Sequence, residues 1–322
     1  MKSWYLYILF LITSRSAAQD LTEEPMLHDI SLKQAPVAVN KKENNRKWIV
    51  GSASVVGYGT SMILFSQAWY KDYPRSSFHT FNDGGEWLQM DKIGHAWAAY
   101  NTSRLTSDMW QWAGVKPSTS VVIGTSSSLL YLLSVEYLDG HSAEWGWSWP
   151  DVIADFSGAA LFASQELGWK QQKIQLKFSS HNQYYPEPDL QQRANQLFGT
   201  TWPERLLKDY NAQTYWLSFN LKKIIPQSRL PRWLNLSLGY GASGMFGGYI
   251  NVAHDKNGMV IFDRSDVPRY RQWYLAPDID LTQIRTKSGF LRTVFSVFNV
   301  LKFPSPALEF SHGKVTVKPL VF

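Results

Sequence analysis

The chain of 322 residues contains no cysteine. Disulfides, iron–sulfur clusters, thiol nucleophiles and the lipid-modified N-terminal cysteine of a lipoprotein are therefore excluded. Charge is also sparse, at 18% of residues, and the formal net charge of +6 comes from Lys and Arg that are scattered along the chain. Nucleic-acid binding, which needs a clustered basic stripe, is excluded on that ground. The sequence also has no P-loop, no Gly-x-Ser-x-Gly elbow and no dinucleotide-binding fingerprint. What it has in quantity is apolar and aromatic material: 44% hydrophobic and 15% aromatic residues, with 15 Trp. That is ample for a core or for a lipid-facing surface.

Residues 1–18 read as a secretory signal, with Lys2, an apolar run over 4–12 and the small residues Ser16, Ala17 and Ala18 before a cleavage point near Gln19. The expected location is the periplasm or the outer membrane. Residues 19–47 are polar and mixed in charge and read as a flexible leader. Apolar stretches over 48–70 and 119–138 are laced with Gly, Ser and Thr, which suits close helix packing and leaves open whether lipid or protein covers them. Two more helices follow the 3.6-residue period. One starts at Asp91; the other starts with Ser148 or Trp149 near its N-cap and Pro150 in its first turn, and has Gly168 as its stop.

After Gly168 the period changes to two. Apolar and polar residues alternate over 174–178, 215–222 and 234–241, with further strands over 271–281, 307–311 and 314–322 and a short helix over 289–301. The fold class is therefore α+β: a bundle of about four helices over 48–168, then an antiparallel β-meander of about six strands over 169–322. The alternation fits either a partial or small membrane barrel or a sheet packed on the bundle.

The candidate site lies on the helices. Asp91 and His95 stand one turn apart, and Asp151 and Asp155 repeat that spacing; both stripes continue into small residues such as Ala98, Ala99 and Gly158. Glu136 has Leu129, Leu132 and Leu133 as its neighbours one and two turns back, so its carboxylate needs a partner. His95, Glu136, Asp139, Asp151 and Asp155 form a donor set suited to a divalent metal, which could activate water for hydrolysis. The candidate catalytic residues are then Asp91, Lys92, His95, Glu136 and Asp155. The other reading is an ion-pair network in which Lys92 or His95 neutralises Glu136.

Asp91-Lys92-x-Gly94-His95, together with Glu136, Asp139 and Asp151-x-x-x-Asp155-x-x-Gly158, resembles the YfiM-like family of predicted periplasmic lipoproteins and is more distantly similar to VanZ-like membrane proteins. The resemblance covers about 48–168. The remainder resembles longer Bacteroidetes-type members through residues 302–310, Lys-Phe-Pro-Ser-Pro-Ala-Leu-Glu-Phe. It implies an envelope location and no particular activity. Two functions are carried forward: an envelope protein with a structural or interaction role, having membrane lipid and envelope proteins as partners, or a metal-dependent hydrolase of an envelope lipid or glycan.

Overall fold

Pro117 and Pro150 stand in the first turns of two helices, where a missing backbone N–H costs nothing because that donor has no partner within the helix. Ser148 caps the second of these by accepting from the N–H of Asp151. In the computed structural model, which describes residues 41–70 and 73–321, these signals produce four long helices: α1 (Lys41–Trp69), α2 (Met90–Trp112), α3 (Pro117–Asp139) and α4 (Trp149–Trp169). The signal segment and most of the leader lie outside the described residues.

Two helix ends differ from the sequence expectation. Helix α1 begins at Lys41, inside the stretch read as leader, because its polar first turns are anchored on the end of α2. Arg46 stacks 4.9 Å over the Trp112 ring, and Glu43 packs against Gly114. Helix α4 passes through Gly168 and closes two residues later at Lys170, which holds the left-handed conformation at φ 53° and donates its N–H to Glu166.

Helices α2, α3 and α4 pack closely, and glycine allows it. A Cβ on Gly124 would lie 2.5 Å from the carbonyl oxygen of Ser103, and one on Gly158 would lie 2.0 Å from that of Ala96. Tyr100, Val121 and Phe162 fill the seam and extend onto Leu176 of the sheet. Helices α1 and α3 are long and apolar enough to cross a membrane. Trp48, Ile49, Val55, Val56 and Ile63 of α1 are exposed, as are Val122 and Leu130 of α3 and Ile153 and Phe156 of α4.

The second half contains β1 (Ile174–Ser180), β2 (Gln213–Asn220), β3 (Leu234–Ser243), β4 (Val252–His254), β5 (Val260–Asp263), β6 (Tyr270–Ile279), β7 (Ser305–Ser311) and β8 (Lys314–Val321). Six of these make one antiparallel sheet in the order β1-β2-β3-β6-β7-β8, and β4 pairs with β5 as a separate hairpin. Helices α5 (Pro188–Phe198), α6 (Trp202–Lys208), α7 (Leu221–Ile224) and α8 (Gly289–Phe298) sit in the connections. The sheet does not close into a barrel. Instead, residues 300–302 run parallel to β1, with the Phe178 N–H donating to Val300 at 2.9 Å and the Lys302 N–H to Phe178 at 2.8 Å.

The two faces of this sheet are reversed relative to a water-soluble one. Lys177, Ser218, Asn235, Ser237, Asp278 and Glu309 share one face in register with Trp216, Tyr274 and Ala276 and are buried. Lys177 pairs with Asp278 at 2.9 Å, while Ser218 donates to Asp278 at 2.6 Å and Asn235 to Ser218 at 2.8 Å. Burial acts to raise the Asp278 carboxyl, yet Lys177 and Ser218 hold it below the usual carboxylate range. On the opposite face, Ile174, Leu176 and Phe178 pack toward the helices. Leu236, Leu238, Trp273, Leu308, Phe310, Val315 and Val317 share that face in register and are exposed.

Candidate functional site

Gly94 explains part of the Asp-Lys-x-Gly-His run, since a Cβ there would come within 2.9 Å of the Tyr215 hydroxyl. Its absence lets β2 approach α2 beside the acids. Asp91 and Lys92 occupy the first turn of α2, and Asp151 the first turn of α4, where the helix dipole favours a carboxylate. Glu136 and Asp139 come from the last turn of α3. The packing of three helix ends brings all of them together.

The turn leading into α2 is strained. Trp87, Leu88 and Gln89 are consecutive non-glycine residues with φ of 47°, 51° and 66°, each costing on the order of 1–2 kcal/mol. The β-unit holds them there. The Trp87 N–H donates to Gly248 at 2.8 Å, the Leu88 carbonyl accepts from the Tyr240 hydroxyl, and Arg271 donates to the Gln89 side chain at 2.7 Å.

Lys92 is the centre of the first half of the cluster. Its ammonium lies 2.7 Å from Asp83, 2.9 Å from Asp91 and 2.8 Å from Asp151. Burial lowers the pKa of an amine, but Asp91 and Asp151 outweigh it and hold Lys92 firmly protonated. Tyr210, from the β-unit, donates to Asp91 at 2.7 Å. Burial opposes ionisation of Asp91, and His95 and Lys92 nevertheless hold its carboxyl low. Asp151 is pushed up to about 7 by burial and then by Asp91, against the pull of His95 and Lys92.

His95 organises the second half. Its Nδ1 is 3.0 Å from Asp155, and its Nε2 is 3.8 Å from Glu136 and 4.0 Å from Asp151. Burial opposes the charged imidazolium, but the bond to Asp155 and the field of Asp151 and Asp91 raise it well above its ordinary value. Glu136 finds its partner in the backbone N–H of Ser148, at 3.1 Å, as well as in His95. Asp139 lies to one side and accepts from Tyr70 at 2.7 Å.

Six carboxyls thus surround two cationic side chains. Of the buried carboxylate oxygens, Oδ2 of Asp155 receives no hydrogen bond, and Oδ1 of Asp151 is answered by the Lys92 ammonium at 2.8 Å. One ligand atom each from Asp91, His95 and Asp151 lie within 4.8 Å of one another, a spacing that a divalent cation could bridge. Glu136 and Asp155 flank that triple on the two sides of the imidazole. All the residues expected from sequence are therefore near one another, with Asp139 the outlier.

Three participants are not legible from spacing. Asp83 reads as a turn former in Asn82-Asp83-Gly84-Gly85, yet it meets both Lys92 and the Ser148 hydroxyl. Tyr210 and Tyr70 arrive from distant segments with no motif of their own.

The fold and this cluster define an α+β protein built around a buried ionic centre. A family model described as predicted periplasmic lipoprotein, DUF2279, matches residues 80–165, which hold every cluster residue except Tyr70 and Tyr210. The match agrees with export to the periplasm or outer membrane, and the 322 residues include no cysteine. No curated protein and no solved structure matches the chain.

Proposed function

We propose that this is a membrane-associated envelope protein with a structural or interaction role, seated on lipid through the outer face of β3, β6, β7 and β8. The reversed sheet carries this reading. In an ordinary sheet the apolar face is the buried one; here the polar face is buried and a continuous apolar face is left outward, as in membrane strands. Moving its half-exposed Leu, Val, Phe and Trp side chains into lipid would contribute on the order of 1 kcal/mol each. In this reading the helical unit is the YfiM-like, distantly VanZ-like part of the chain. The ionic cluster is then its clamp, since Lys92 joins the loop carrying Asp83 to α2 and α4, and Tyr210 ties the β-unit to α2 through Asp91.

Flotation with phosphatidylethanolamine–phosphatidylglycerol vesicles tests the seating. Wild-type protein should float with the vesicles at high salt, and the double variant Leu238→Glu, Trp273→Glu should remain below while keeping its circular dichroism spectrum. Equal flotation of the variant, or a wild type that stays in the soluble fraction, refutes the assignment.

The close triple of Asp91, His95 and Asp151, with the Asp155 Oδ2 beside it receiving no hydrogen bond, supports a second reading as a metal-dependent hydrolase of an envelope lipid or glycan. Those three residues would hold the ion, with Glu136 and Asp155 orienting His95; a bound divalent metal would supply an activated water. Metal content of purified wild type, Glu136→Gln and His95→Ala, with and without chelator, decides it. A wild type free of metal and indifferent to chelator eliminates this reading and leaves the ion-pair clamp.

A further inference from the structure

The far end of the bundle, away from the ionic cluster, holds a cavity of about 430 Å³ between the C-terminal halves of α2 and α4, the turn at Leu281–Gln283 and α8. Its size lies within the roughly 300–1,000 Å³ typical of small-molecule sites. Its floor is polar and buried. Arg104 donates to the Ser296 hydroxyl at 3.1 Å and to the Ser296 carbonyl at 2.9 Å, with Asp108 at 3.7 Å as its acid. Asn299 and Gln175 bond to each other beside it, at 3.1 Å.

The rim is different. Lys170, at the end of α4, and Arg292, on α8, both line the cavity, and neither side chain has a hydrogen bond or ion pair among the described residues. Lys223 also lines it but is tied to Asp280 at 3.2 Å. The wall supplies Gln111, Gln171 and Gln283, whose amides match hydroxyl groups, and the ring of Phe295, an apolar face for a sugar ring.

We propose that this cavity binds a phosphorylated sugar. A neutral sugar leaves the two rim cations unanswered, and a single carboxylate balances only one of them. A phosphate monoester carries close to two negative charges at neutral pH and three acceptor oxygens, which matches a guanidinium and an ammonium approaching from two different helices. The sugar could be free in the periplasm or be the headgroup of a phosphorylated glycolipid; the chemistry recognised is the same.

The full chain in detergent would be titrated calorimetrically with glucose 6-phosphate, glucose and inorganic phosphate. Saturable binding of glucose 6-phosphate is expected, with glucose and inorganic phosphate each at least about tenfold weaker. Lys170→Gln and Arg292→Gln should each weaken it about tenfold, the effect of losing one charge-assisted contact, with the melting temperature unchanged. The second arm measures the gain in vesicle binding when a phosphorylated glycolipid is added, using the double variant Lys170→Gln, Arg292→Gln as the control. A gain that the double variant loses assigns the lipid headgroup as the source; binding of the free sugar phosphate without such a gain assigns the soluble form. Absence of binding in both arms, affinity unchanged in the double variant, or inorganic phosphate bound as tightly as the sugar phosphate would overturn the proposal.

Discussion

Replacing Lys92 with Met should be the most damaging single substitution in the helical half. Methionine keeps the length and apolar stem of lysine and removes only the ammonium, so packing is preserved. Three carboxylates within 2.7–2.9 Å of Nζ then lose their shared cation. Breaking a buried pair by removing one partner costs about 3–5 kcal/mol, and here the side chains of Lys92 and Asp151 are 11% and 5% exposed. The loss at pH 7.5 should fall in that range, equivalent to a drop in melting temperature on the order of 10 °C. Acid should relieve it. Without Lys92, which lowers both Asp91 and Asp151, the folded-state pKa values of those two carboxyls rise, so the variant recovers stability as pH falls and they take up protons. Urea unfolding in detergent at pH 4.5 and 7.5, followed by tryptophan fluorescence, measures both terms. A loss below about 1 kcal/mol at pH 7.5, or a gap between variant and wild type that is the same at both pH values, would refute the argument that Lys92 is the neutralising charge.

Three further outcomes are expected. Tyr210→Phe removes a hydrogen bond to a charged carboxylate and should cost about 1.5–3 kcal/mol in the same assay, showing that the β-unit contributes to the cluster. Gly158→Ala places a methyl group 2.0 Å from the Ala96 carbonyl and should separate α2 from α4, destabilising by about 1–3 kcal/mol; Gly57→Ala, with nothing within 4 Å of the new methyl, is the control that should not destabilise. Asp151 is raised from an ordinary 3.8 to about 7, so the folded state holds its proton more tightly than the unfolded chain does. Its contribution is greatest below pH 3.8 and is lost as pH rises to about 7. Asp151→Asn should therefore flatten the pH–stability profile across that window, as read by thermal denaturation in a buffer series.

The alternation of side chains over residues 174–178, 215–222, 234–241 and the three later segments was sufficient to locate all six strands of the main sheet. Two-residue periodicity survives wherever one face differs from the other. It does not say which face is inward, because Leu238 and Ser237 alternate in the same way whether lipid or core receives the leucine. That choice follows from the tertiary pairing of Lys177 with Asp278, residues about a hundred positions apart. The hairpin of β4 and β5 is too short to set a period, whereas the helix over 188–198 does carry one, in Leu190, Ala194, Leu197 and Phe198, that the strand reading of this half passes over. At the site, one-turn spacing exposed Asp91, His95, Asp151 and Asp155. The leucine surroundings of Glu136 marked it as well. Asp83 and Tyr210 gave no such signal, because contacts made across the fold by loop residues leave no periodic trace.

The three left-handed residues before α2 bear on the order of assembly. A stretch of Trp87, Leu88 and Gln89 has no local reason to adopt that conformation; it is imposed by Gly248, Tyr240 and Arg271, which are synthesised more than 150 residues later. During synthesis the Asp83 loop can already join the helices, since Phe81 donates to Trp147 and Asp83 meets Lys92 and Ser148, while the left-handed turn and the Tyr210 bond to Asp91 wait for the β-unit. A chain truncated within the β-unit would retain helical content yet lack an intact turn. The left-handed turn is therefore complete only in molecules whose C-terminal half has docked, because all three of its holding partners lie there.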